Sequence, residues 1–108
     1  MMVAMASTKD LIRERRIGAA MDTIGDQLRV FRKLQKLTQQ QIAERAGLTR
    51  GTVARLENGD DSVTMSSFLS VCRALGVLDM LVGSLNPYAT AIGRAQATRE
   101  LPKRIRHG

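Results

Sequence analysis

Arg50 and Arg55 stand in the segment Leu48-Thr-Arg-Gly-Thr-Val-Ala-Arg-Leu-Glu-Asn-Gly59, where Val53 and Leu56 take the inward positions of a short helix. That leaves Arg50, Gly51, Ala54 and Arg55 on its outward face. A guanidinium is a planar fork of N–H donors suited to paired acceptors, so this face is equipped to recognise rather than to make or break bonds. Residues that could do bond chemistry are few and poorly placed. Cys72 shares an apolar helical face with Phe68, Leu69 and Leu75, the setting of a reduced, buried thiol. His107 is the only histidine in the chain and has no cysteine at metal-ligand spacing. Asp60-Asp61-Ser62 reads as a polar turn, not as a catalytic pair. With no phosphate loop, zinc signature or nucleophile elbow, the expectation is a non-enzyme with no catalytic residue, metal or cofactor.

The elements that must position the two arginines follow from local signals. Thr38 caps a first helix, Gln41 completes a capping box, and Ile42, Ala43 and Ala46 form an apolar stripe at helical spacing. Gly47 ends that helix in the left-handed conformation, Leu48 plugs the corner, and Thr49 caps the second helix. Asn58-Gly59 closes it. Two short helices pinned by a tight turn, the second polar on its outer side, present side chains to a DNA major groove in this way.

From Ile24 to Leu85 the chain resembles the DNA-binding domain of the Cro and phage-repressor family. The likeness is carried by Thr38-Gln39, by Ala43 followed by Gly47, and by Leu56-Glu57-Asn58-Gly59. It implies an all-α, five-helix repressor-type bundle. It also implies that Gln39 contacts a phosphate, that Arg50, Gly51 and Arg55 occupy base-reading positions, and that Thr49 and Thr52 are neighbouring contacts. Gly51 departs from the polar residue usual there, so the side-chain code rests on the two arginines and a guanine-containing half-site is expected. A further implication is a buried ion pair between Arg32 and Glu57. The wider layout of basic lead, repressor domain, Leu75-Gly-Val-Leu-Asp-Met-Leu81 helix, Asn86-Pro87-Tyr88 break and basic tail is similar to HipB-type antitoxins of kinase toxins.

Length and charge agree with one small helical domain and two flanks. The 108 residues are 44% hydrophobic and only 3% aromatic, with Phe31, Phe68 and Tyr88 the only aromatics, which disfavours readers that stack bases on aromatic platforms. The net charge of +7 is unevenly spread: +4 over residues 1–36, −1 over 37–64, zero over 65–85 and +4 over 86–108. Phosphate attraction is therefore expected from the flanks more than from the two-helix unit. The chain divides into a lead, 1–20, that can form a helix; a DNA-binding domain, 21–85; and a basic extension, 86–108. Gly18 and Gly25 argue against one long helix joining lead and domain. The extension, broken by Pro102, is expected to order only on a partner. The apolar run of residues 1–7 is too short for a signal core or a membrane span, which points to a cytoplasmic protein without membrane contact.

Three classes of function fit these features. The first is a sequence-specific regulator of double-stranded DNA, a repressor working as a homodimer through the apolar positions Val77, Leu78, Leu81, Val82 and Leu85. The alternative is a HipB-like antitoxin that binds a kinase toxin while regulating its own operon. A nonspecific architectural or RNA-binding protein is disfavoured by the neutral reading region and the scarcity of aromatics.

Overall fold

A computed structural model describes residues 8–100, with side chains from Glu14 onward. Met1–Ser7, the side chains of Leu11 and Ile12, Pro102 and His107 lie outside the described residues. The chain runs through helix α1 (Thr8–Leu34), α2 (Gln39–Ala46), α3 (Arg50–Glu57), α4 (Met65–Leu75) and α5 (Leu78–Ser84). A 3-10 turn over Pro87–Ala89 and helix α6 (Ala91–Glu100) follow, with no strand among the described residues. The all-α class is as expected, with the five helices of the bundle extended by a sixth.

Capping chemistry sets the boundaries. Thr38, Thr49 and Thr64 each sit in extended backbone and accept a hydrogen bond from an amide in the first turn of the next helix. At Thr38 the box is complete, because the Gln41 side chain accepts from the Thr38 amide at 2.8 Å. Gly47, at φ +70°, ends α2, and the Leu48 amide reaches back to the Ala43 carbonyl at 2.8 Å. Helix α1 ends with the same six-to-one bond, from the Leu37 amide to Arg32, but there the left-handed residue is Lys36, at φ 58°.

Leu28, Ile42, Ala43, Ala46, Val53, Leu56, Val71, Cys72 and Leu75 form the core, so the inward stripes of α2, α3 and α4 meet as their spacing requires. Leu48 packs against this cluster at the turn. Ile42 and Val53 are fully enclosed, which fixes the angle between α2 and α3, and truncating Ile42 to alanine would cost about 2–5 kcal/mol. The Cys72 thiol is buried, which pushes its pKa up and keeps it in the unreactive protonated form.

Two expectations are corrected. Gly18 and Gly25 do not prevent one long helix: α1 continues unbroken through both. A glycine costs a helix only about 1 kcal/mol relative to alanine, too little to break a ladder that is otherwise complete. At Gly25 the missing side chain is a packing requirement, because a β-carbon there would lie 2.6 Å from the carbonyl oxygens of Leu56 and Glu57 at the end of α3. The second correction concerns the extension, which is helical over Ala91–Glu100 rather than unstructured. Asn86 caps the preceding turn by accepting from the Tyr88 amide at 2.9 Å, and Thr90 does the same for Gly93 at 2.9 Å.

Helix α5 turns 119° away from α4. Val77, Leu78 and Leu81 pack against the core, whereas Met80, Val82 and Leu85 are exposed. No single helix among the described residues is long and apolar enough to cross a membrane.

Candidate nucleic-acid interface

The site is built outward from a buried charge pair. Arg32 on α1 and Glu57 at the end of α3 are 8% and 4% exposed, and they meet side-on. Arg32 Nε donates to one carboxylate oxygen of Glu57 at 2.7 Å and a terminal nitrogen donates to the other at 3.0 Å. The remaining arginine nitrogen donates to the Leu37 carbonyl at 2.9 Å, so both partners are satisfied inside the fold. Burial alone would push the Glu57 carboxyl up. The hydrogen bonds from Arg32 and Gln39 outweigh it and hold the group below the usual carboxylate range.

From Glu57 the contacts lead to the surface. Gln39, the first residue of α2, donates from Nε2 to Glu57 Oε1 at 3.1 Å, and its own Oε1 accepts from Arg50 at 3.1 Å. An amide nitrogen carries two hydrogens, so Gln39 can hold Glu57 and still offer one N–H outward. The chain Arg32–Glu57–Gln39–Arg50 thus ties an exposed guanidinium at the start of α3 to the core. The sequence placed Gln39 and the ion pair as separate features. Their connection was not legible, because it depends on how α2 and α3 cross, and only the register of Gln39 and Glu57 across the turn creates it.

On the exposed side of α3, Thr49 and Thr52 hydroxyls meet at 2.9 Å, and Arg55 donates to the Thr52 hydroxyl at 3.4 Å. Gly51 lies exposed between them, and the nearest atoms to a β-carbon added there are Arg55 Nη1 and Thr49 Oγ1, both at 3.9 Å. The six positions Gln39, Thr49, Arg50, Gly51, Thr52 and Arg55 therefore form one continuous surface of donors around a bare strip of backbone. In the turn into α4, Asp60 accepts from the Ser62 amide at 2.7 Å, and hydrogen bonding from the Ser62 side chain and then from that amide holds its carboxyl below the usual range. No cluster of histidine, cysteine and carboxylate able to hold a metal ion occurs among the described residues. The arrangement supplies guanidinium, hydroxyl and amide donors to an anionic, acceptor-rich partner, from elements whose orientation is fixed by a packed core.

Comparison with known proteins bears on the same segment. A family profile described as helix-turn-helix matches residues 28–79. An immunity repressor protein of Bacillus phage phi105 is 38% identical over 55 residues, which cover 51% of this chain. The chain spans only 38% of that relative's length. No solved structure gives a significant match. With its two capped helices, glycine turn, core and matched span in agreement, this chain carries a helix-turn-helix domain over residues 28–79, similar in part to a phage immunity repressor.

Proposed function

We propose that the protein is a sequence-specific regulator of transcription that binds double-stranded DNA as a homodimer and acts as a repressor. The observation that carries this reading is the Arg32–Glu57–Gln39–Arg50 chain, which holds the exposed Arg50 guanidinium and the Gln39 amide in one fixed relation to the core. In the proposed complex α3 lies in the major groove. Arg50 and Arg55 read guanine N7 and O6, and Thr49 and Thr52 border the groove. The free N–H of Gln39 and the amides at the start of α2 take a phosphate, which sets the register. Gly51 lets the backbone of α3 come close to the base edges.

Dimerisation would use the exposed face of α5, where Val82 and Leu85 lie uncovered beside Met80. A two-fold pair places two α3 helices about 34–36 Å apart, one turn of duplex, or a multiple of it. The flanking cations of α1 and α6 would supply counterion release. The protein is read as cytoplasmic, where its DNA is.

Selection of bound sites from random duplex DNA tests the proposal. A palindrome with guanine in each half-site is expected, and recovery of unrelated sequences at equal affinity would end it. The second reading, an antitoxin that neutralises a kinase toxin while regulating its own operon, rests on α6. That helix leaves Ile92 exposed in its first turn, ahead of Arg94 and Arg99, a surface suited to a protein partner. Co-purification of a toxin that is lost on Ile92→Asp separates it from a regulator acting alone.

A further inference from the structure

Among the described residues the left-handed backbone positions are Lys36, Gly47, Gly59 and Gly76, so a residue with a β-carbon takes this conformation only at Lys36, at φ 58°. A β-carbon there crowds the following carbonyl, and glycine ends α2 and α4 in the same geometry without that strain. The surroundings impose the conformation on whatever stands at position 36. Leu37 packs against the core, its amide donates to the Arg32 carbonyl at 3.1 Å, and its own carbonyl accepts from the Arg32 guanidinium at 2.9 Å. The Lys36 amide is held in turn by the Lys33 carbonyl at 2.9 Å. With the residue after it clamped to a buried arginine, the turn has no freedom to relax.

What this position presents is a charge. Lys36 is exposed and takes part in no ion pair with a described residue. Residues 27–43 hold four cations, Arg29, Arg32, Lys33 and Lys36, and no acid. Arg29 and Arg32 are turned to Glu57. Lys33 lies in the last turn of α1, where a cation complements the helix dipole. Lys36 alone of the four stands outside a helix, two residues before the Thr38 cap and three before Gln39, at most about 11 Å of chain away.

We infer that Lys36 is a further phosphate contact of the proposed DNA interface, its ammonium joining the Gln39 amide on the duplex backbone, and that the strained turn is kept because it carries that charge there. The inference rests on the regulator reading given above. In that reading the arginines of α3 are assigned to bases and the phosphate contact at Gln39 is neutral, so the backbone contact lacks a cation unless the turn beside it supplies one. An ammonium is a point charge with three rotatable donors, suited to a phosphate and poor at the paired acceptors of a base edge. Its contribution is therefore to affinity for any duplex and not to the choice of sequence.

A residue kept for binding at the expense of stability gives opposite signs in two measurements. Lys36→Gly should raise the urea midpoint of the full chain. Lys36→Gln, which removes the charge and keeps the β-carbon, should weaken binding to the selected duplex and to a scrambled one by the same factor. Each phosphate contact contributes about 0.9 to the slope of log affinity against log salt, so the parent's advantage over Lys36→Gln should shrink about 3.5-fold between about 50 and 200 mM salt. Lys36→Arg should restore the parent slope, whereas Gln39→Ala, the loss of a neutral contact, should weaken binding with the slope unchanged. Fluorescence anisotropy with labelled duplexes reads all of these. A parent that binds duplex DNA while Lys36→Gln keeps its slope overturns the inference and leaves the regulator reading standing. A loss confined to the selected site makes Lys36 a base reader and also overturns it, as does a lower urea midpoint for Lys36→Gly. A parent that binds no duplex at any salt concentration ends the regulator reading and the inference with it.

Discussion

Replacing Glu57 by glutamine keeps the size of the side chain and removes only its charge. In the native fold three donors converge on this carboxylate: two from Arg32, at 2.7 and 3.0 Å, and one from Gln39, at 3.1 Å. The amide retains one acceptor oxygen and turns two N–H groups toward donors. Arg32 then keeps its charge inside the protein with only the Leu37 carbonyl as a well-placed partner. Removing one partner of a buried pair costs about 3–5 kcal/mol, a large share of the roughly 5–15 kcal/mol that holds a small domain folded. At about 4–8 °C per kcal/mol for a domain of this size, the melting temperature should fall by more than about 12 °C. The exposed pair of Arg29 and Asp26, at 3.6 Å, is the control, and Asp26→Asn should cost no more than about 1 kcal/mol. Calorimetry or thermal circular dichroism of both variants makes the comparison. The pH dependence has a definite sign. The carboxyl of Glu57 is lower in the folded than in the unfolded chain, so its contribution is complete above the ordinary glutamate value of about 4.3. It disappears as pH falls through the lower folded value. Glu57→Gln should therefore flatten the acid side of the stability curve. Equal melting temperatures for Glu57→Gln and the parent at pH 7 would falsify the argument from buried charge.

The same surface makes distinct predictions for DNA. Arg50→Ala should cost about 1–3 kcal/mol on the selected site and relax the preference at one base pair, whereas Gln39→Ala should weaken all duplexes alike; equal losses for both variants on specific and scrambled DNA refute the docking. Gly25→Ala should destabilise the fold by more than about 2 kcal/mol, because its β-carbon meets two backbone carbonyls at 2.6 Å, and urea unfolding within 0.5 kcal/mol of the parent, about the noise of a neutral surface change, counts against that packing. Lys36→Gly should act oppositely. Lys36 is the non-glycine residue with positive φ among those described, and relieving a left-handed lysine should stabilise by about 0.5–1 kcal/mol after glycine's extra unfolded-state entropy is deducted; a lower urea midpoint contradicts this.

Local chemistry was legible in the sequence wherever a single turn of chain decides the structure. Thr38, Gln41, Gly47 and Thr49 each act within four residues of themselves, and the structure gives each its expected bond. The all-α class followed for the same reason, since helical periodicity recurs in every core segment. What the sequence hid depends on contacts between distant segments. Gly25 looks like a helix breaker until α3 is set against it, and then it is the residue that admits the end of α3. Residues 91–100 read as a polar tail because their helix has almost no amphipathic pattern, yet Asn86 caps the turn before it and Thr90 holds its start. Lys36 carries no sequence signal for a left-handed residue, since that position is most often glycine. The hydrogen bonds of Gln39 to Glu57 and Arg50 join segments 18 and 11 residues apart, beyond any spacing rule.

The charge distribution bears on how such a surface would discriminate. Residues 37–64 carry a net charge of −1, so the part of the protein proposed to enter the groove has little attraction for DNA as a polyanion. Nonspecific binding is almost wholly electrostatic, and in the proposed complex it falls to the basic flanks, which are set apart from the reading helix in sequence. The reading helix then contributes chiefly where bases match. Arg50 begins from a tethered position, held by Gln39 before any DNA arrives. A free arginine loses up to about 2 kcal/mol of rotamer entropy when fixed, and a tether anchored in the core removes part of that loss in advance. The buried pair thereby has a second consequence besides stability. It makes the position of a surface arginine depend on the packing of α1 against α3, so that a loss of order at Glu57 reaches the face proposed to read DNA through one glutamine.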